Sequence, residues 1–115
     1  MNIRTVLTNL NCSDVEKTIS RFLDDYELFI KCAKGSITDE NWELLGEGIQ
    51  NRDKKTSFEK SHLLKGVIGN IGLTQLYKSL CELVETLRVD NPDFEKASSL
   101  YKNLIQLKDE ILQKL

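Results

Sequence analysis

The chain has little of what marks secreted, membrane-spanning or metal-binding proteins. Its three cysteines, Cys12, Cys32 and Cys81, are far apart and form no CxxC pair, so the sequence indicates neither a disulfide framework nor a zinc site. The apolar residues near the N-terminus are interrupted by polar residues between positions 8 and 11, which leaves too short a run for a signal peptide or a spanning helix. We therefore expect a cytoplasmic protein.

The chain also lacks a strong charge of either sign. Its 16 basic and 18 acidic side chains give a net charge of −2 and are scattered along the length. This distribution is not the footprint of a protein that binds nucleic acid or an anionic membrane, and we expect neither partner. A length of 115 residues fits one domain, 1–115, that can bury a core without disulfides or metal.

No stretch of the sequence alternates apolar and polar residues, whereas apolar residues recur widely at helical spacing. Capping residues, glycines and the single proline divide the chain into predicted helices. The predicted helices start at Ser13 (capping box with Glu16), at Asp24 (with Glu27, ending near Gly35), at Thr38 (to Gln50), at Asp53 (to Ile71, before Gly72), at Leu73 (to Leu87) and at Asn91-Pro92. Short connections favour an all-α, antiparallel up-down bundle.

The only histidine, His62, lies within the helix predicted from Asp53 to Ile71. At about 100° per residue, the apolar residues of this helix gather on the side opposite His62, which is therefore expected to face solvent. The apolar side is expected to comprise Leu63, Leu64, Val67, Ile68 and Ile71. The stripe that shares the direction of His62 contains Lys55, Phe58, Glu59, Lys65, Gly66 and Gly69.

Glycines are unusual on the exposed side of a helix, because each costs about 1 kcal/mol relative to alanine. Gly66 and Gly69 would leave a bare patch beside His62 where another protein could come close, and Phe58 would add apolar surface one turn earlier. Each residue alone has an ordinary interpretation, such as a surface histidine or a glycine at a helix contact. Their combination predicts a docking surface around a reactive imidazole.

The chemistry that suits this arrangement is phosphoryl carriage. A neutral imidazole offers an unprotonated, nucleophilic nitrogen near physiological pH. A phosphoryl group brings a charge of about −1.5 to −2, which Lys65 can partly neutralise from one turn away. We expect no metal and no cofactor, because phosphoryl transfer depends mostly on positioning and charge neutralisation, and the metal ion would belong to the partner.

The run His62-x-x-Lys65-Gly66, with Gly72 after five more residues, resembles the signature of histidine-containing phosphotransfer (HPt) domains, which act in two-component phosphorelays. The resemblance extends to segments 14–29 and 72–88. It implies a four-helix bundle with an additional short N-terminal helix, His62 as phosphoacceptor, Lys65 beside the phosphoryl group, and Gly66 kept bare for docking. It also implies receiver domains of response regulators and a hybrid histidine kinase as partners. Such a protein would be a monomeric phosphocarrier without a kinase catalytic domain.

Many members of that family place a glutamine or glutamate on the next helix to hold the imidazole, but the corresponding position here is Val84. A second interpretation therefore stays open, in which the chain docks receiver or kinase domains without being phosphorylated. A third, an enzyme with His62 as general base, has less support because no nucleophile or orienting carboxylate accompanies it, and Ser61 points about 100° away.

Overall fold

The computed structural model describes all residues, 1–115, and is all-α, as the sequence predicts. It contains seven helices and no strand. The helices are α1 (Ile3–Asn9), α2 (Val15–Arg21), α3 (Tyr26–Ile37), α4 (Asn41–Gln50), α5 (Lys54–Ile71), α6 (Thr74–Arg88) and α7 (Phe94–Lys114). No helix combines the length and the apolar character that crossing a membrane would require.

The ends of α5, the helix that carries His62, are those predicted from the sequence. Asp53 is the N-cap, and its carboxylate accepts a hydrogen bond from the backbone N–H of Thr56 at 3.1 Å. Gly72 is the C-cap with φ of +86°, a conformation that glycine adopts without steric cost. A side chain at Gly72 would also collide with Thr18 of α2, so two constraints require glycine here.

Near the N-terminus, the structure departs from the predicted boundaries. The capping box at Ser13 and Glu16 is wrong, because the N-cap of α2 is Asp14 and the two side chains have tertiary partners. Ser13 binds Thr74, 61 residues away, and Glu16 pairs with Arg4. Helix α1 has no counterpart among the predicted helices.

Other helix boundaries differ by one to three residues. Helix α3 is capped by Asp25 rather than Asp24, and it continues past Gly35 to Ile37. Thr38 ends α3 instead of starting α4, since its hydroxyl donates to the carbonyl of Lys34 at 2.8 Å. The N-cap of α7 is Asp93, because its carboxylate accepts two backbone N–H groups.

Helix α5 lies between α4 and α6 and also contacts α3. Helices α6 and α7 pack together, and α7 returns to contact α4 and α3, while α1 and α2 pack against each other. Helices α1 and α3 to α7 contribute apolar side chains to one core of 22 buried residues, and α2 packs its partly buried Val15 and Ile19 against this core. Only two residues separate α5 from α6, so these packed helices run antiparallel.

The buried side of α5 is rotated from the predicted one. Leu64, Ile68 and Ile71 are buried as expected, but Leu63 and Val67 are 45% and 38% exposed. Ser57 and Ser61 are buried in their place. Each serine hydroxyl donates to a carbonyl of its own helix, which removes the cost of burying it.

The small Ser57 side chain suits a close approach between α4 and α5. A Cβ atom added at Gly48 of α4 would lie 3.0 Å from the Ser57 hydroxyl and 3.1 Å from its backbone nitrogen. The predicted buried side of α5 is rotated from the observed one because a prediction from apolar spacing does not count serine as a core residue.

Candidate functional site

His62 lies in the middle of α5 and is exposed, as the helical spacing predicts. With Leu64 and Ile68 at the centre of the buried side, Gly66 points almost directly away from the core and His62 is about 40° from that direction. The imidazole therefore stands on the outer surface of a long helix, where a second protein can reach it.

The His62 ring stacks on the ring of Phe58, one turn earlier in the same helix. The ring centroids are 5.7 Å apart and the planes differ by 28°. Phe58 is half-buried and packs against the core, and the Arg88 guanidinium carbon lies 5.3 Å from its centroid. Arg88 is in turn paired with Glu85, at 3.2 Å. Phe58 thus provides an ordered surface against which the imidazole rests.

Position 84, which the resemblance would assign to orienting the ring, does not do so by a hydrogen bond. Val84 is fully buried in α6 and carries no polar group. The nearby Glu82 and Glu85 are exposed, and Glu85 pairs with Arg88 instead. The stack with Phe58 is therefore the contact that the structure provides for orienting His62.

The two glycines predicted to leave a bare patch have different environments. A Cβ atom added at Gly66 would meet nothing within 4 Å, so the fold itself does not require glycine there. A Cβ atom at Gly69 would lie 3.1 Å from the Tyr77 ring of α6. Gly69 therefore makes room for Tyr77 at the α5–α6 contact, and its part in docking stays a prediction. Only Gly66 is bare without a packing reason.

The other predicted site residues are distributed along the same helix. Lys55 and Glu59 are exposed, on the turns that precede His62. Lys65 is half-buried and, with Gly66, forms part of the wall of a groove of about 590 Å³ between α2, α5 and α6. His62 therefore has the stacked Phe58 ring on its N-terminal side along α5 and the groove on its C-terminal side.

The groove, which we call the basic groove, brings together cations that are distant in sequence. Its basic residues are Lys17, Arg21, Lys65 and Lys78, and its only acidic residue is Asp14. The pKa of Tyr77, which also lines the groove, is raised chiefly by the neighbouring Cys81 side chain. Sequence reasoning identified Lys65 but missed the other cations, because no local pattern joins α2 to α6.

Sequence reasoning also missed the exposed apolar pair Leu63 and Val67, which flanks Gly66 on the side away from Lys65.

No three histidine, cysteine, aspartate or glutamate side chains lie close enough together to hold a metal ion. The candidate site consists of an exposed imidazole, an aromatic ring stacked on it, a lysine one helical turn away and a helix surface without a side chain at Gly66.

Comparisons with family models, with curated proteins and with solved structures gave no match. The resemblance carried by His62, Lys65, Gly66 and Gly72 therefore stays a prediction. A functional assignment has to rest on the residues and on the geometry around His62.

Proposed function

We propose that this protein is a histidine phosphotransfer protein, which accepts a phosphoryl group from an aspartate of a receiver domain on His62 and passes it to another receiver. The observation that carries the proposal is the pairing of an exposed imidazole with Gly66, a glycine for which nothing within the fold accounts. An exposed helix position without a side chain costs stability. Close approach of a partner to His62 accounts for that cost.

The transfer step needs only a nucleophile and charge neutralisation from this chain. The unprotonated imidazole nitrogen attacks phosphorus, and an N–P bond forms while the bond from phosphorus to the aspartate oxygen breaks. The electron pair of the broken bond stays on the leaving carboxylate. Lys65 lies one turn from His62 and would offset part of the phosphoryl charge, while Phe58 would hold the ring. Transfer to the next receiver is the reverse reaction.

The arrangement of helices supports the four-helix bundle expected for such a protein. Helices α4, α5, α6 and α7 each contact the next, and α7 also contacts α4, which is the order of neighbours in a closed bundle. Helices α1, α2 and α3 precede these four, and α1 to α3 would be the N-terminal addition. In this proposal the protein acts as a cytoplasmic monomer, with receiver domains and a hybrid histidine kinase as its partners.

A second candidate function is a docking module that binds receiver or kinase domains without being phosphorylated. The observation in its favour is Val84, whose buried apolar side chain leaves the imidazole without the hydrogen bond that the resemblance would provide. The docking surface around Gly66 would serve this function equally well, so the two candidates differ only in the role of His62.

The deciding experiment is to incubate the purified protein with a panel of phosphorylated receiver domains and to compare wild type with His62→Gln. Label on wild type that is acid-labile and alkali-stable, and absent from the variant, would establish the phosphocarrier. Binding of receivers without transfer, equal in both proteins, would favour the docking module. Since His62 is the only histidine, label retained by the variant would refute the assignment to phosphohistidine.

A further inference from the structure

The basic groove concentrates positive charge in a chain that is acidic overall. It contains four of the 16 basic residues but only one of the 18 acidic residues, although the net charge of the chain is −2. The cations come from three helices: Lys17 and Arg21 from α2, Lys65 from α5 and Lys78 from α6. The fold therefore creates a local positive field that the linear sequence does not show.

The fold leaves these cations without acidic partners. Its three ion pairs, Arg4–Glu16, Arg88–Glu85 and Lys108–Asp109, involve none of the four. The guanidinium of Arg21 is held in place by donating to the backbone carbonyl of Asn70 at 2.7 Å, a contact that leaves its charge uncompensated. Like charges gathered in one groove repel each other, so an arrangement without internal compensation favours an anionic partner.

The groove lies where a partner of His62 would have to sit. Lys65 and Gly66, its α5 residues nearest to His62, follow the imidazole by one helical turn. A protein that closes over the bare surface at Gly66 would cover the basic groove at the same time. On the opposite side of Gly66, the same protein would meet the exposed Leu63 and Val67.

We propose that the basic groove docks a carboxylate-rich surface of the protein that exchanges phosphoryl groups with His62; the identity of this partner rests on the proposed function. The groove steers the partner by charge, and Lys65, at the end of the groove nearest to His62, offsets part of the charge of the phosphoryl group that His62 receives. Tyr77 is the only hydrophobic residue of the lining, which otherwise consists of charged or polar residues and three glycines, so the groove offers no apolar pocket to the side chains of an apolar helix. Four cations in a short groove offer little to a nucleic acid backbone, which carries one charge per about 1.7 Å of duplex.

The test compares two triple charge reversals. In the groove variant, Lys17→Glu, Arg21→Glu and Lys78→Glu leave His62, Lys65 and Gly66 intact. In the control variant, Lys31→Glu, Lys34→Glu and Lys102→Glu change the net charge equally at exposed positions of α3 and α7. Because Arg21 bonds to Asn70, a double variant, Lys17→Gln with Lys78→Gln, repeats the test without disturbing that contact.

The readout is the rate of transfer from a phosphorylated receiver, at low and high salt. We expect the groove variant to lose about tenfold in the second-order rate constant at low salt, with an unchanged rate at saturation, because exposed charges act mainly on association. The wild-type constant should fall with salt, whereas the control variant should stay close to wild type. Equal rates in the groove and control variants, or no effect of salt on wild type, would overturn the proposal.

Two partner-independent measurements separate this proposal from the proposed function. Phosphoramidate, a small donor that passes its phosphoryl group to imidazole nitrogen and releases ammonia, should label His62 equally in all variants. If neither phosphoramidate nor any receiver labels His62, the proposed function fails.

NMR titration with poly-L-aspartate and with a DNA oligonucleotide then tests whether the basic groove binds an acidic protein surface. Docking of an acidic protein is supported if polyaspartate causes saturable chemical-shift changes in the backbone amides at positions 17, 21 and 78. These changes should be absent from the groove variant and present in the control variant. No saturation, or tighter binding of DNA, refutes such docking.

Discussion

Two glycines of this chain allow docking to be tested separately from folding. Gly66 in α5 and Gly35 in α3 both lie within helices, and a Cβ atom at either would meet nothing within 4 Å. Only Gly66 is next to His62 on the exposed side of α5. Replacing each glycine by glutamine, a good helix former, should therefore have similar effects on the fold and different effects on phosphoryl transfer.

The expected gain in stability follows from helix propensity. Gly66→Gln should stabilise the fold by about 0.5 kcal/mol, because no neighbour has to move. An unfolding entropy of about 2.1 cal/mol/K per residue gives roughly 0.24 kcal/mol/K for 115 residues, so Tm should rise by about 2 °C. Gly35 lies in the last turn of α3, where the gain should be smaller.

The expected loss in function follows from steric overlap with the partner. A side chain forced into a close-packed contact costs about 1–3 kcal/mol, which corresponds to a transfer slower by roughly five- to 160-fold. Thermal melts by circular dichroism and rates of receiver-to-His62 transfer measure the two effects. The reasoning is refuted if Gly66→Gln unfolds several degrees below wild type, or if it transfers as fast as Gly35→Gln.

Three further predictions concern the surroundings of His62. Lys65→Ala should lower the yield of phosphorylated protein at equilibrium without lowering Tm; an unchanged yield would remove Lys65 from the site. Phe58→Leu, which keeps apolar volume but removes the stack, should slow the labelling of His62 by phosphoramidate. The labelling rate and the Tm of the variant are both measured, so that a slower rate can be distinguished from unfolding. The pKa of Asp53 is held below its ordinary value, chiefly by the backbone N–H of Thr56, so its contribution to stability is present above the ordinary aspartate range and is lost as pH falls through the lowered value. Asp53→Asn, which keeps a capping oxygen, should therefore show a shallower fall of Tm with acidification; an identical pH profile would contradict this.

The parts of the structure that the sequence predicts well are those set by local chemistry. Asp53 caps α5 and Gly72 ends it, because capping and left-handed conformations depend on residues close in sequence. The exposure of His62 was also predictable, since it follows from the spacing of Leu64, Ile68 and Ile71.

The parts that could not be predicted depend on contacts between distant segments. Ser61 is buried beneath the surface that carries His62, and its hydroxyl is satisfied within α5, so apolar spacing alone misplaces the edge of the buried face. The partner of Gly69 is Tyr77 on the next helix, and the carbonyl that holds Arg21 is 49 residues away. Gly69 is packed against a neighbouring helix and Gly66 is not, and this difference in tertiary contacts cannot be read from two glycines in a helical pattern.

The attachment of α2 has a consequence for the dynamics of the protein. Polar side chains of α2 and of Ser13 before it contact the α5–α6 turn: Arg21 donates to the Asn70 carbonyl, Ser13 bonds to Thr74, and Thr18 lies against Gly72. The apolar contribution of α2 is limited to the partly buried Val15 and Ile19. Helix α2 has seven residues, whereas α5 has 18 and is packed between α4 and α6. We therefore expect α2 to open by local unfolding while α5 stays folded, so that its amide protons exchange with solvent far sooner. Each opening would move Lys17 and Arg21 away from Lys65, so the positive potential of the basic groove would fall while His62 stays in place.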